Sequence, residues 1–396
     1  MSTSSDDSYF RDYRYYAISF DEIEDVEKYA PGGYHPVDIG DVISSGECEY
    51  EVIHKLGHGG FATVWLVRSG VQSASYHALK ILCADGEDYI DPELAIFEHL
   101  KKAAAAGHPN VVDLHDSFKI TGPNGEHQIS RQGVKANRAM ADITPYNVVF
   151  ELPGIQSMTA DDFFELLGPI KSERLYPKDD QVELTPHAPK HVVESPNFSA
   201  LDFSSLTRLR LIDFGQAFFV DCPPKSLGTP VNFFPPELCF NFPPSPQSDI
   251  WQLAVVCYKI MTGDLFFFIV FGGFEELIRQ VLTYFGPLPQ EWRGRFELEE
   301  YGYRVMGELK YTTEDEHWFE AKTCKTPIAG RLLKAAPQFS AHQQKKVAQL
   351  LYDMLANEPE KRLSAMDVVW RLDEGFQDEV AEEAGQLVDS STLLPT

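Results

Sequence analysis

From Tyr50 onward, apolar and polar residues alternate through three short runs, YEVIHKLG, FATVWLVRS and SYHALKILC. A period of two, rich in β-branched and aromatic residues and broken at glycines, predicts three consecutive strands joined by turns. A helix over residues 92 to 106 is expected to follow, with Glu93 in its first turn. The run LRLI at residues 209–212 reads as a short apolar strand that ends in the turn Asp213-Phe214-Gly215. Between these stretches, residues 159–167 predict a helix, with Thr159 as N-cap ahead of Asp161 and Asp162. The rest of 151–206 is rich in proline and polar residues and reads as a loop insert, a surface excursion without chemistry. Residues 1–33 are polar, acidic and rich in tyrosine, and close on Pro31-Gly32-Gly33. They are expected to form an extended tail or clamp with no assignable chemistry. The residues after about 376 form an acidic tail.

The chain has 396 residues, room for two or three packing units that each bury a core. Hydrophobic residues make up 43% and charged residues 24%, as in an ordinary globular protein. The balance of 34 Lys+Arg against 60 Asp+Glu gives a net charge of -26. That argues against nucleic acid or an anionic membrane as the main partner and is compatible with basic partners, although solubility alone also explains it. Six cysteines without a C-x-x-C pair fit reduced thiols of the cytoplasm or nucleus better than a disulfide framework or a zinc site. The N-terminal residues lack the apolar core of a signal peptide, and LFFFIVF at 265–271 is far too short to span a membrane.

Three places carry candidate chemistry. A carboxylate just past a strand end and followed by glycine, as at Asp213, suits a Mg²⁺ that carries phosphates. Between the first two predicted strands lies Gly57-His58-Gly59-Gly60-Phe61-Ala62-Thr63-Val64. Glycines there let the backbone close over a polyphosphate with its amides turned inward, but a plain glycine hairpin reads the same way. Lys80 stands among apolar strand residues at the end of His77-Ala78-Leu79-Lys80, where a charge is unusual unless used. Glu93, on the following helix, could reach it.

Glycine loop, strand lysine, helix glutamate and Asp-Phe-Gly, in this order, resemble the eukaryotic protein kinases. GGYHPVDIGDV at 32–42 and KLGHGGFATVWLV at 55–67 resemble the SR-protein kinases and their fungal relatives in particular. The resemblance covers roughly residues 25–128 and 140–375. It implies an α+β, two-lobed fold with a small β-rich N-lobe over residues 34–128 and a larger, mainly helical C-lobe over 141–376. It also implies ATP and Mg²⁺ as cofactors. Gly57, His58, Gly59, Gly60, Phe61 and Ala62, with Val64, Ala78 and Lys80, would line the nucleotide site, and Glu93 would fix Lys80. Residues 115–122 would be the next strand and turn. ADITPYNVVF at 141–150 is similar to the catalytic loop: Asp142 would orient the acceptor hydroxyl, and Asn147 would hold metal together with Asp213. Residues 216–237 resemble the activation segment, with Gly228-Thr229-Pro230 and the closing Pro235-Pro236-Glu237. The helix SDIWQLA at 248–254 matches a family signature in which Asp249 braces the catalytic loop, and Arg362 would pair with Glu237.

The chain departs from that family in two ways. Met140, Ala141 and Thr144 replace the usual His, Arg and Lys of the catalytic loop, and loss of that lysine removes transition-state charge stabilisation worth a few kcal/mol. Residues 129–140, ISRQGVKANRAM, stand where a hinge strand and two large-lobe helices are expected. They are too short and polar to supply these, so the C-lobe is expected to be incomplete and to leave apolar surface on its neighbours. The leading reading is a serine/threonine protein kinase that acts as a monomer in the cytoplasm or nucleus on proteins rich in Arg and Ser, such as splicing-type proteins, with no nucleic acid or membrane partner. The competing readings are a catalytically impaired pseudokinase that binds proteins, or a truncated kinase product.

Overall fold

A computed structural model describes residues 13–46, 48–70, 75–84, 92–103, 110–133, 143–150, 158–179, 186–196, 208–225, 227–270, 273–296, 318–320 and 328–373. The chain divides into two compact units, residues 1–138 with 149–212, and residues 139–148 with 213–396.

The first unit is organised by a six-stranded sheet. Its members in chain order are β1 (Val42–Ser44), β2 (Glu49–His58), β3 (Ala62–Ser69), β4 (Ser75–Leu82), β5 (Asp113–Gly122) and β6 (Gly125–Gly133), with α1 (Pro92–Ala103) between β4 and β5. In space the order is β1-β2-β3-β4-β6-β5, antiparallel throughout. The alternation read from the sequence sets the faces, because side chains two apart share one side of a sheet. Trp65 and Val67 of β3 join Leu79 and Ile81 of β4, Val52 of β2 and Ile129 of β6 in one buried cluster. Val64, Ala78 and Lys80 therefore stand on the opposite face, with Val64 directly across from Lys80 in the ladder.

Strand β6 extends to Gly133, five residues into the stretch expected to lack a strand. It pairs with both β4 and β5, although its sequence, GEHQISRQG, is polar. Burial of His127, Ile129 and Ser130 explains this: among the strand's described side chains, two of the three fully buried are polar, which hides the alternation. Residues 134–142 lie outside the described residues.

The insert is more structured than a loop. Besides α2 (Ala160–Leu167), capped by Thr159 and Asp162 as the sequence predicts, it contains the hairpin β8 (Ser172–Arg174) with β9 (His191–Val193). Leu175, Ala188 and Val192 of this region pack with Tyr15, Tyr29 and Tyr34 from the N-terminal stretch. Backbone bonds bind the two segments, Tyr16 N–H to Tyr176 C=O at 3.0 Å and Lys178 N–H to Arg14 C=O at 2.9 Å. The N-terminal stretch is thus a packed part of the first unit from Tyr13 on, and the insert belongs to that unit too. The short strands β7 (Val148–Phe150) and β10 (Leu209–Leu211) pair with each other.

The second unit is helical among its described residues: α3 (Pro246–Thr262), α4 (Gly273–Phe285), α5 (Ile328–Ala335) and α6 (Ala341–Met354). Its core centres on Trp251, fully buried and stacked on Phe267 at 5.5 Å, with Phe234, Phe240, Leu277, Val281, Leu351 and Met354 around it. Helix α3 is not covered all round. Leu253, Cys257 and Met261, spaced by four residues, are only half-buried, and Ile260 beside them is 65% exposed.

Candidate active site

In the first unit the glycine hairpin forms between β2 and β3, where Gly59 N–H closes on Ala62 C=O at 2.8 Å. A Cβ added at Gly57, Gly59 or Gly60 would meet nothing within 4 Å, so packing does not demand glycine there. The open backbone is instead what a loop offering its amides to phosphate requires. Phe61 at the tip is 75% exposed, while Ala62 is buried. Burial lowers the pKa of His58, and the nearby Lys55 charge lowers it further. Val64 and Ala78, half-buried on the face of the sheet that carries Lys80, provide a flat apolar floor beside the hairpin.

Lys80 leaves β4 on that same face and donates to Glu93 Oε2 at 3.0 Å. The pair is nearly dry, with side-chain exposures of 10% and 1%. Helix α1 brings Glu93 there because its first turn starts at Pro92, which suits N1 and fixes the phase of the helix. An ion pair taken out of water gains stability only with good geometry. A buried lysine whose carboxylate partner holds it in one place is a preset cationic donor for an anionic ligand.

In the second unit, Asn147 closes a single 3₁₀ turn, Pro145–Asn147, and is 8% exposed. Thr144 is 2% exposed and Tyr146 76% exposed. Asp142 lies outside the described residues. Asp213 is exposed and adopts φ 62°. This left-handed backbone is uncommon for a residue with a side chain and costs on the order of 1–3 kcal/mol, a strain that clusters at functional sites. Gly215 N–H donates to Asp213 Oδ1 at 3.2 Å, and Phe214 is fully buried, which anchors the turn. Asn147 directly precedes β7 in the chain, and Asp213 follows two residues after β10.

Two contacts around this loop were not read from the sequence. Gln252, fully buried on α3, accepts from Ile143 N–H at 2.8 Å and donates to Thr229 Oγ1 at 3.3 Å. One amide thereby ties the peptide after Asp142 to the Gly228-Thr229-Pro230 turn. The signal was present: a glutamine inside the apolar run IWQLAVV must be hydrogen-bonded if buried. Gln216, just after the Asp-Phe-Gly turn, accepts from Gly228 N–H at 2.9 Å and closes the intervening segment on itself. Farther from the turn, Arg362 meets Glu237 in a two-pronged pair at 2.8 and 2.7 Å, with side-chain exposures of 0% and 2%. The lysine–glutamate pair belongs to the first unit, and Asn147 and Asp213 belong to the second.

Among the described residues no group of three or more His, Cys, Asp or Glu is placed to hold a metal. One carboxylate and one amide are the sparse protein donor set that Mg²⁺ accepts when phosphate oxygens supply the rest. Within the first unit the lysine pair and the open glycines fit a polyphosphate; within the second the two oxygen donors fit a Mg²⁺ that carries phosphate. No described helix is long and apolar enough to cross a membrane.

No protein-family model matches the chain. It is 24% identical over 409 residues to the serine/threonine-protein kinase SRPK of Physarum polycephalum, a match covering 87% of this chain and 90% of that one. It is likewise 24% identical over 383 residues to a serine/threonine protein kinase of Aspergillus fumigatus, covering 89% and 90%. Shorter matches of 112 residues reach 42% identity with spk-1 of Caenorhabditis briggsae and 38% with SRSF protein kinase 3 of Homo sapiens. They take in 27% of this chain but only 10% and 19% of those relatives. A solved kinase domain superimposes with a TM-score of 0.52 at 16% identity, over 85% of this chain and 97% of that domain. The fold is that of a protein kinase, with a sheet-based unit and a helical unit.

Proposed function

We propose that this chain, similar over most of its length to serine/threonine protein kinases including one named SRPK and kinase-like in fold, transfers the γ-phosphoryl group of Mg-ATP to serine or threonine hydroxyls of proteins rich in Arg and Ser. The observation that carries this reading is the buried Lys80–Glu93 pair beside an open glycine hairpin. ATP supplies the phosphoryl group, and Mg²⁺ supplies charge neutralisation on its oxygens. Lys80, fixed by Glu93, would bind the α- and β-phosphates. The amides of the loop from Gly57 to Ala62 would cover them, and Val64 and Ala78 would pack against the base. Asn147 and Asp213 would hold Mg²⁺. Asp142 would orient the acceptor hydroxyl and receive its proton as the oxygen–phosphorus bond forms and ADP leaves.

Thr144 bears on rate. It is buried and uncharged where a lysine would meet the transferred phosphate, so turnover is expected to be slow by the few kcal/mol such a donor provides. The charge of -26 favours basic substrates through long-range attraction. Exposed free thiols at Cys48 and Cys222 suit the reducing cytoplasm or nucleus, where we place the protein as a monomer.

A peptide panel tests the substrate class. With Mg-ATP, an Arg-Ser repeat peptide is expected to be phosphorylated with a kcat/KM that falls as salt rises. Equal transfer to Gly-Ser and Glu-Ser repeats would remove the basic substrate class, and transfer to no peptide would remove the reading itself.

A further inference from the structure

Glycine loops owe their use to amide groups facing a ligand, so the partners of their carbonyl groups decide how the loop is held. Here those partners come from outside the sheet. Tyr34 donates its phenol O–H to Gly59 C=O at 2.7 Å, and Lys28 donates to Gly60 C=O at 2.7 Å. The Lys28 ammonium also sits 5.8 Å from the Tyr34 ring centre and 5.6 Å from that of Phe61 at the loop tip. A trans peptide points its C=O and N–H in opposite directions. Fixing the carbonyls of Gly59 and Gly60 thus fixes the amides of Gly60 and Phe61 on the side away from Lys28 and Tyr34.

The segment that makes these contacts is itself firmly rooted. Tyr29 is fully buried and donates to Glu24 at 2.5 Å, and Glu24 pairs with Lys55 of β2, two residues before Gly57. Lys55 donates as well to Val193 C=O of the insert hairpin at 3.0 Å. Downstream, Ala84 N–H bonds Gly33 C=O at 2.9 Å and Gly32 N–H bonds Asn124 C=O at 2.8 Å. The Asn124 side chain holds Tyr34 C=O at 2.5 Å. A Cβ on Gly33 would stand 1.7 Å from Lys28 C=O, so this tight return of the chain requires glycine. Burial pushes the Tyr34 phenol up to about 12, with lesser contributions from Cys83 and Asp25, so its donor proton stays in place at any physiological pH.

We propose that residues 24–34 form a clasp on the glycine loop: Lys28 and Tyr34 are positioning residues that hold the loop in its phosphate-facing conformation and so slow nucleotide exchange. The consequence for nucleotide rests on the kinase reading above; the restraint on the loop does not. Burial of the root explains why two single bonds suffice. Glu24, Tyr29 and Lys55 fix the segment, and only the loop is left free to open. The clasp thereby couples the N-terminal stretch and the insert, through Lys55 and Val193, to the loop that covers phosphate.

The test uses the full chain with Lys28→Met, Tyr34→Phe and the double substitution, and Lys119→Met as a control that removes an exposed lysine from a surface pair with Glu126. Two quantities are read: amide hydrogen exchange of residues 57–62 without nucleotide, and release of a fluorescent ADP analogue. Each single change is expected to raise loop exchange and ADP release about three- to tenfold, the loss of one hydrogen bond, and the double change more than either. KM for ATP should rise more than kcat falls, and Lys119→Met should change nothing. Unchanged loop exchange in a folded double variant would overturn the clasp. Raised loop exchange with unchanged ADP release would overturn its role in nucleotide exchange. A chain that binds no nucleotide at all would instead refute the kinase reading, with loop exchange still deciding the clasp.

Discussion

Replacing Arg362 by methionine is expected to destabilise the second unit severely. The guanidinium is completely buried and serves Glu237 through two bonds, the carbonyls of Ala356 and Gln247 at 2.9 Å each, and that of Asn357 at 3.3 Å. Its carbon centre also lies 4.9 Å from the centre of the Trp251 ring, in the middle of the core. Methionine fills part of the volume but leaves the Glu237 carboxylate in a dry site, with the Ser248 hydroxyl at 2.9 Å as a remaining donor. Removing one partner of such a pair costs about 3–5 kcal/mol, because a charge is stranded and not merely because an attraction is lost. At 1.4 kcal/mol per tenfold, that shifts the folding equilibrium by roughly 10² to 10³·⁵. Urea unfolding followed by tryptophan emission measures it, since Trp251 sits against the substituted position. The double variant Glu237→Met/Arg362→Met is the sharper probe. It strands no charge, so it should recover at least half of the loss despite the three carbonyls. A single substitution costing under about 1 kcal/mol, or a double variant as unstable as the sum of both singles, would refute the reasoning.

Glu93→Gln keeps the shape of the first-unit pair but strands the Lys80 charge in a nearly dry site; the melting temperature should drop, and kcat/KM for Mg-ATP is expected to fall roughly 10- to 100-fold, about 1.4–2.8 kcal/mol. Gln252→Leu removes both the acceptor for Ile143 N–H and the donor to Thr229, and should lower kcat while leaving nucleotide affinity within about twofold. Stability should depend on pH through His35. Burial, and secondarily His127, lower its pKa to about 4 in the folded chain, against about 6.5 when unfolded. Below about 6.5 the unfolded chain takes up the proton and the folded chain does not, so stability falls as pH drops from 6.5 toward 4, by at most about 3 kcal/mol. His35→Asn should flatten that slope in urea titrations at pH 7.5 and 5; an unchanged slope would assign the effect to other groups.

How much of this was legible in the sequence depends on what kind of atom carries the contact. Lys80 and Glu93 lie thirteen residues apart on a strand and the helix after it, so local periodicity puts them within reach. Glu237 and Arg362 lie 125 residues apart and were paired only through family resemblance. The clasp was invisible because its acceptors are backbone carbonyls of Gly59 and Gly60, which every residue possesses and no residue type advertises. Strand β6 was missed beyond residue 128 because His127 and Ser130 fill buried positions and break the apolar alternation. The hairpin of β8 and β9 leaves no mark in the sequence because each strand has only three residues, too few for a period of two to show. Helix α3 was recognised from its signature, but its start at Pro246, capped by Ser245, lies two residues earlier than expected.

Phosphoryl transfer from Mg-ATP to an Arg-Ser repeat peptide, by the intact chain and by Asp213→Asn, tests the central claim most directly. Asp213 is exposed, in a left-handed backbone conformation, and its Oδ1 accepts from Gly215 N–H; asparagine is tolerated in that conformation, so the substitution should leave the fold intact while removing the carboxylate that would hold Mg²⁺. Slow, Mg²⁺-dependent transfer that falls at least about 100-fold in the variant is the expected result. Transfer that survives Asp213→Asn, or its absence from a folded chain, would contradict the account.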